Sequence, residues 1–195
     1  MRLVVGLGNP GARYARTRHN VGFMAAEAFL SRHRRGSDRD ELGAVVGEAR
    51  WAGELLLVAR PQSFMNLSGG PVAALARRHS AAPGDIVLVY DDSDLPLGAI
   101  RVRPGGRAAG HRGVESVVEA LGTSEIPRVR LGIGRPEGVA GGLADYVLDE
   151  FSAEEMDAVS SMIERAAEAL RVLLKQGVKA AMNMYNRRPG GTTTD

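Results

Sequence analysis

Residues Ile86 to Tyr90 form an unbroken apolar run, hemmed in by Pro83-Gly84 on one side and by Asp91-Asp92-Ser93-Asp94 on the other. Five apolar residues without alternation suit a strand covered on both faces, and such a strand needs helices above and below it. Its carboxyl end is strongly acidic. A second run, Leu3 to Leu7, ends in glycines and leads through a polar loop to Val21, Met24, Ala25 and Ala28, which recur at helical spacing. The reading is strand, loop, helix.

The rest of the chain repeats the alternation. Residues 34 to 41 read as a charged loop, and Ala44 to Ala52 and Leu55 to Ala59 as two strands of a hairpin joined at Gly53-Glu54. Val72, Leu75, Ala76 and His79 lie on one face of a helix. Ile100 to Arg103 predicts a short strand running into the glycine-rich stretch 104 to 110, and Val114, Val117, Val118 and Leu121 a further helix. Val129 to Ile133 closes the strand list. Ser152 with Glu155 forms a capping-box signature that opens the longest helix, ended by Gly177, and a short helix spans Val178 to Tyr185. The predicted fold is α/β: a single-domain three-layer sandwich, with a twisted mixed, mostly parallel sheet and helices on both faces. Residues 1 to 188 make the domain, and residues 189 to 195 a flexible tail. Ligands of such sheets bind beyond the strand carboxyl ends.

Composition narrows the chemistry. A chain of 195 residues, 44% hydrophobic and 25% charged, fits one soluble domain. No apolar run approaches the roughly 18 residues of a membrane span, and no signal peptide precedes Arg2-Leu3-Val4, so a cytoplasmic protein is expected. The absence of cysteine excludes disulfides, thiolate nucleophiles and Cys-based metal sites. Charge is unevenly spread. Residues 1 to 35 hold seven arginines against Glu27, and residues 101 to 135 seven against three glutamates, whereas 140 to 170 hold eight acids against Arg165. The two basic segments are expected to converge on a face turned toward a polyanion.

Gly6-x-Gly8-x-x-Gly11 matches a dinucleotide fingerprint, but Asn9-Pro10 is a turn and the next helix starts only near Asn20, too late for its amino end to meet a pyrophosphate. No serine sits in a nucleophile elbow. The aspartates at 91, 92 and 94 lack the partners of a Mg²⁺ site and read as a turn. Hydrolysis without a covalent nucleophile needs a base, a group to orient it and donors for an oxyanion. His19 is the candidate base, because His33 lies in a charged run, His79 ends a helix and His111 opens one. Asp91 would receive the His19 Nδ1 proton, and Asn9 and Asn66 would donate from their amides. Each alone has a plainer reading, as a solvated loop histidine or a turn-forming asparagine.

At these residues the chain resembles a known family. Val5-Gly-Leu-Gly-Asn-Pro-Gly11, Tyr14, Thr17-Arg-His-Asn-Val-Gly22, Pro61, Phe64-Met-Asn-Leu-Ser-Gly69, Asp91 through Asp94-Leu-Pro96 and Leu131-Gly-Ile-Gly134 are similar to the bacterial-type peptidyl-tRNA hydrolases, and the likeness runs from residue 2 to about 186. It implies a monomeric cytoplasmic enzyme, without metal or cofactor, whose partner is peptidyl-tRNA. The enzyme would cleave the ester between the peptide and the terminal ribose of tRNA, recycling tRNA from stalled or aborted translation. His19 would then be the base on water, Asp91 its orienting carboxylate, and Asn9 and Asn66 the positioning amides. Tyr14 and Met65 would line the substrate cleft, Arg101, Arg103 and Arg107 would contact tRNA, and Arg130 would meet its 5′-phosphate. A non-catalytic RNA-binding relative is the alternative.

The chain also departs from the family pattern. Arg112 stands where an asparagine is usual, able to weaken peptide binding or to add a phosphate contact. Ala108 and Ala109 stiffen a glycine-rich loop, and Glu137-Gly-Val-Ala-Gly-Gly142 lacks the lysine that would partner Arg130.

Overall fold

The computed structural model describes residues 1–135 and 142–186; the lysine-lacking stretch 137–141 and the tail 189–195 lie outside the described residues. Among these residues seven strands form one sheet: β1 (Arg2–Gly6), β2 (Arg34–Glu41), β3 (Ala44–Trp51), β4 (Glu54–Pro61), β5 (Ile86–Asp92), β6 (Ile100–Arg103) and β7 (Arg128–Gly132). Their order across the sheet is β2-β3-β4-β1-β5-β7-β6. β4, β1, β5 and β7 are parallel neighbours, the β3–β4 hairpin is antiparallel as expected, and β6 closes the far side antiparallel to β7.

Among the described residues six helices accompany the sheet: α1 (Val21–His33), α2 (Gly69–Arg78), α3 (Arg112–Leu121), α4 (Leu143–Leu148), α5 (Met156–Gln176) and α6 (Val178–Tyr185). Alternation along the strands sets the layers. Val4, Val87 and Val89 pack with Phe29 of α1 and Met162 and Leu170 of α5, whereas Leu3, Val5 and Leu88 pack with Val72 and Leu75 of α2 and Val117 of α3. Each large apolar side chain removed from water contributes about 1.5–3 kcal/mol, so the two faces form two independent cores on one sheet. Adjacent strands β1 and β4 lead to helices on opposite faces, and this divergence opens a crevice at their carboxyl ends.

Glycine sets how closely α1 approaches the sheet. A Cβ on Gly22 would stand 2.3 Å from the Val89 carbonyl oxygen and 2.5 Å from that of Leu7, and one on Gly6 would stand 2.5 Å from the Gly22 oxygen. The glycines of the dinucleotide-like motif therefore serve helix packing, and Gly11, at φ +98°, serves a turn.

Two expectations need correction. Residues 34 to 41 are not a loop but the edge strand β2, with its register shifted between Arg35 and Arg39. Most of its charges pair: Arg34 and Arg60 both bind Glu27 and Asp38, and Arg39 binds Glu41 and Glu48. A charged edge of this kind resists further strand pairing. The opposite edge is closed by Asn186, just past α6. Its Oδ1 accepts the Val102 N–H at 2.7 Å and its Nδ2 donates to the Val102 carbonyl at 3.0 Å.

Nor do the basic segments converge as a whole. Arg16, Arg18 and Arg32 pair with Glu150, Glu155, Glu164 and Glu168 of the acidic segment, whereas Arg103, Arg107, Arg112 and Arg130 of the second basic segment line the crevice. No helix among the described residues is long and apolar enough to cross a membrane.

Candidate active site

Loops from the ends of β1, β4 and β5 meet over a crevice of about 910 Å³. His19 is the middle residue of a single 3-10 turn, Arg18–Asn20, that leads into α1. Its Nδ1 lies 2.8 and 2.9 Å from the two oxygens of Asp91, which is buried at the end of β5. The predicted pair, 72 residues apart in the chain, is therefore in contact. Nδ1–H donates to the carboxylate, and Nε2 has no protein partner among the described residues.

A second imidazole, which the sequence reading left without a role, joins them. His111 Nε2 lies 2.9 Å from Asp91 Oδ1, while its Nδ1 accepts the Val114 N–H at 3.2 Å and so caps α3. Because Nδ1 is the acceptor, the ring proton sits on Nε2 and is donated to Asp91. Burial alone would push the Asp91 carboxyl up, but His111 and His19 outweigh it and hold the group well below the usual carboxylate range. His19, Asp91 and His111 also form a three-ligand cluster with all ligand atoms within 4.8 Å. A cation there would have to displace both ring protons and the Val114 bond, so the donor set suits the orientation of an imidazole better than metal binding.

The amides are fixed with equal economy. Asn9 and Asn20 exchange two hydrogen bonds, the Asn9 N–H to Asn20 Oδ1 and Asn20 Nδ2 to the Asn9 carbonyl, both at 2.9 Å. Asn9 Oδ1 accepts the Met65 N–H at 2.8 Å, which orients the carboxamide and leaves its NH₂ free at the crevice wall. Asn66 follows Met65 in a 3-10 turn and is exposed to the crevice.

The whole chain matches one family pattern. The model of the peptidyl-tRNA hydrolase family covers residues 3–192. The chain belongs to the peptidyl-tRNA hydrolase family. A peptidyl-tRNA hydrolase of Nocardia farcinica is 48% identical over 185 residues, 94% of this chain and 95% of that one. One of Syntrophomonas wolfei is 44% identical over 186 residues, 95% of this chain and 100% of that one. The crystal structure of peptidyl-tRNA hydrolase from Acinetobacter baumannii superposes with a TM-score of 0.88 at 30% identity, covering 95% of this chain and 94% of that one. The three-layer α/β sandwich is thus the architecture of a peptidyl-tRNA hydrolase.

The remaining predicted residues divide within this peptidyl-tRNA hydrolase fold. Tyr14 lines the crevice and stands edge-on to Phe64, with ring centroids 6.5 Å apart. Met65 lines it too, yet is only 4% exposed and packs so closely on α3 that a Cβ on Gly113 would fall 2.4 Å from its sulfur. Arg103, Arg107, Arg112 and Arg130 line the basic wall. Arg101 stands beside them on the same sheet face, paired in register with Arg130, but outside the crevice lining. The Nε of Arg130 is bound to Asp92. Arg112 is the first residue of α3, where its cation meets the positive end of the helix dipole. Ala109 takes φ +50°, a conformation that glycine enters freely.

Arg128 was also not anticipated. It is buried, and its guanidinium donates to the carbonyls of Arg107 at 2.9 Å, Ser124 at 3.1 Å and Ile126 at 3.3 Å, holding the glycine-rich loop in place. The family-like stretch Thr17-Arg-His-Asn carried the only signal for Arg18 and Asn20. His111 was signalled by being an unusual residue at a helix N-cap.

Proposed function

We propose that the chain hydrolyses the ester joining a peptide to the 3′-terminal ribose of tRNA, with His19 as general base. His19 Nε2 takes a proton from water as the water oxygen bonds to the ester carbonyl carbon. Asp91 stabilises the imidazolium, and the Asn9 and Asn66 amides hold the charge that develops on the carbonyl oxygen. Collapse breaks the carbon–oxygen bond to the ribose, and His19 returns its proton to the leaving oxygen. Peptide acid and free tRNA result, which recycles tRNA from stalled or aborted translation.

The observation that carries this reading is the His19 Nδ1 contact with both Asp91 oxygens at 2.8 and 2.9 Å, which leaves Nε2 available in the crevice. An RNA binder without chemistry has no use for a carboxylate buried beneath two imidazoles. In this reading Tyr14 and Met65 contact the substrate near the bond that breaks. Arg101, Arg103 and Arg107 meet tRNA phosphates as bidentate forks, Arg130 meets the 5′-phosphate with the donors Asp92 leaves free, and Arg112 adds a phosphate contact. One copy supplies every group used, so we take the working form to be a monomer, acting in the cytoplasm where peptidyl-tRNA arises. Residues 1–188 are then taken as the catalytic domain.

The test is release of free tRNA from a purified peptidyl-tRNA. His19→Ala should lower turnover by about 10²- to 10⁴-fold, with tRNA affinity within a factor of about two. Equal rates for the two proteins would remove His19 from the reaction.

A further inference from the structure

The turn that holds His19 is tied to more than Asp91. Arg18 is 7% exposed, and its guanidinium binds Glu155 through both terminal nitrogens, at 3.0 and 2.8 Å. The same guanidinium lies over the rings of Tyr146, at 4.4 Å, and Phe151, at 4.8 Å. The Arg18 N–H donates to the Asp149 carbonyl at 3.0 Å, and Thr17 forms an isolated bridge with Glu150. Tyr146 in turn donates its hydroxyl to the Ile133 carbonyl at 2.7 Å, just past β7.

Tyr146 lies in α4 and Asp149, Glu150 and Phe151 directly follow it, while Glu155 ends the 3-10 turn that opens α5; α4 presents Leu143, Ala144, Val147 and Leu148 to the crevice. Exposed Phe64 and Tyr14 complete an apolar side. The crevice thus has an apolar wall and an arginine wall, and the base stands on a turn bolted to the apolar one. A buried cation with a bidentate carboxylate and two aromatic faces has one well-defined geometry, so it transmits position rather than absorbing it.

We propose that Arg18 is a positioning residue that makes His19 placement depend on what the acyl group's side chain does against α4. This rests on the hydrolytic reading above and goes beyond it by naming a selectivity: substrates with a bulky apolar residue next to the ester seat α4 and, through Arg18, hold Nε2 in line with the attacking water. Substrates lacking that side chain leave the α4 contact unmade. A misplacement of about 1 Å can cost about 10²-fold in rate, so a modest change of orientation suffices.

The test compares N-acetyl-leucyl-tRNA with N-acetyl-glycyl-tRNA in wild type, Arg18→Met, Arg18→Lys and Glu155→Gln. Wild type should favour the leucyl substrate in kcat. In Arg18→Met, which keeps an apolar stem between the two rings, kcat on the leucyl substrate should fall about 10- to 100-fold, and the leucyl-to-glycyl ratio should drop to about one. Arg18→Lys should restore part of that ratio. Should Arg18→Met fail to fold, as judged by circular dichroism, Glu155→Gln carries the same expectation.

A wild-type ratio near one, or a variant that slows both substrates equally and keeps the ratio, overturns the proposal, since a purely structural arginine would act in that way. His19→Ala in the same assay separates the two readings. Retained turnover there removes the base assignment, whereas lost turnover with an unaltered Arg18 ratio removes only the coupling.

Discussion

A carboxylate that accepts hydrogen bonds from two rings titrates differently in the folded and the unfolded chain. The folded pKa of Asp91 is depressed, so its contribution to stability is fully present above the unfolded value of about 3.9 and is lost as pH falls through the lower folded value. Asp91→Asn offers one oxygen to two N–H donors. One imidazole is left unpaired, and stability at pH 7 should fall by about 1–3 kcal/mol. The gap to wild type should narrow below about pH 4, read from urea midpoints between neutral and acid pH; parallel curves would show that Asp91 is not the titrating group. At this scale the sequence paired His19 with Asp91, and the two side chains are in contact. It left His111 unassigned because a histidine that caps a helix and one that binds a carboxylate look alike in one dimension.

At the scale of elements, the position of α1 on the sheet decides where the 3-10 turn before it falls. Gly22→Ala would press a methyl carbon against the Val89 and Leu7 carbonyls, which belong to backbone that cannot swing aside. Overpacking of this kind costs about 1–3 kcal/mol. The displaced helix should carry His19 off Asp91, so kcat should fall along with the denaturation midpoint; a stable, fully active Gly22→Ala would refute the close approach. The strands of the core were legible because their apolar runs are continuous or alternate. β2 was not, since an edge strand of arginines, aspartates and glutamates is held by cross-strand ion pairs that only the folded partners reveal. α4 was missed for a related reason: six residues are too few to establish a helical period.

At the scale of the whole molecule, the uneven charge of the sequence resolves into two uses. The acidic segment pairs with Arg16, Arg18 and Arg32 near the amino terminus, and Arg103, Arg107, Arg112 and Arg130 at the crevice remain for a polyanion. If Arg112 contacts a phosphate, Arg112→Asn should make the slope of log affinity for tRNA against log salt shallower by about 0.7–0.9. A slope unchanged in filter-binding or calorimetric titrations across salt would exclude that contact. The registry of Arg101 with Arg130 and Arg103 with Arg128 placed these charges on one sheet face, a convergence the linear spacing alone did not determine.

The carboxamide of Asn186 on the outer strand has a consequence for the molecule as an object in a crowded cell. One side chain offers that strand the same donor and acceptor that another chain's backbone would bring, so the site where a neighbouring molecule could splice itself on is already taken. With its other border fenced by ions, the sheet is finished at the seven strands of the described residues.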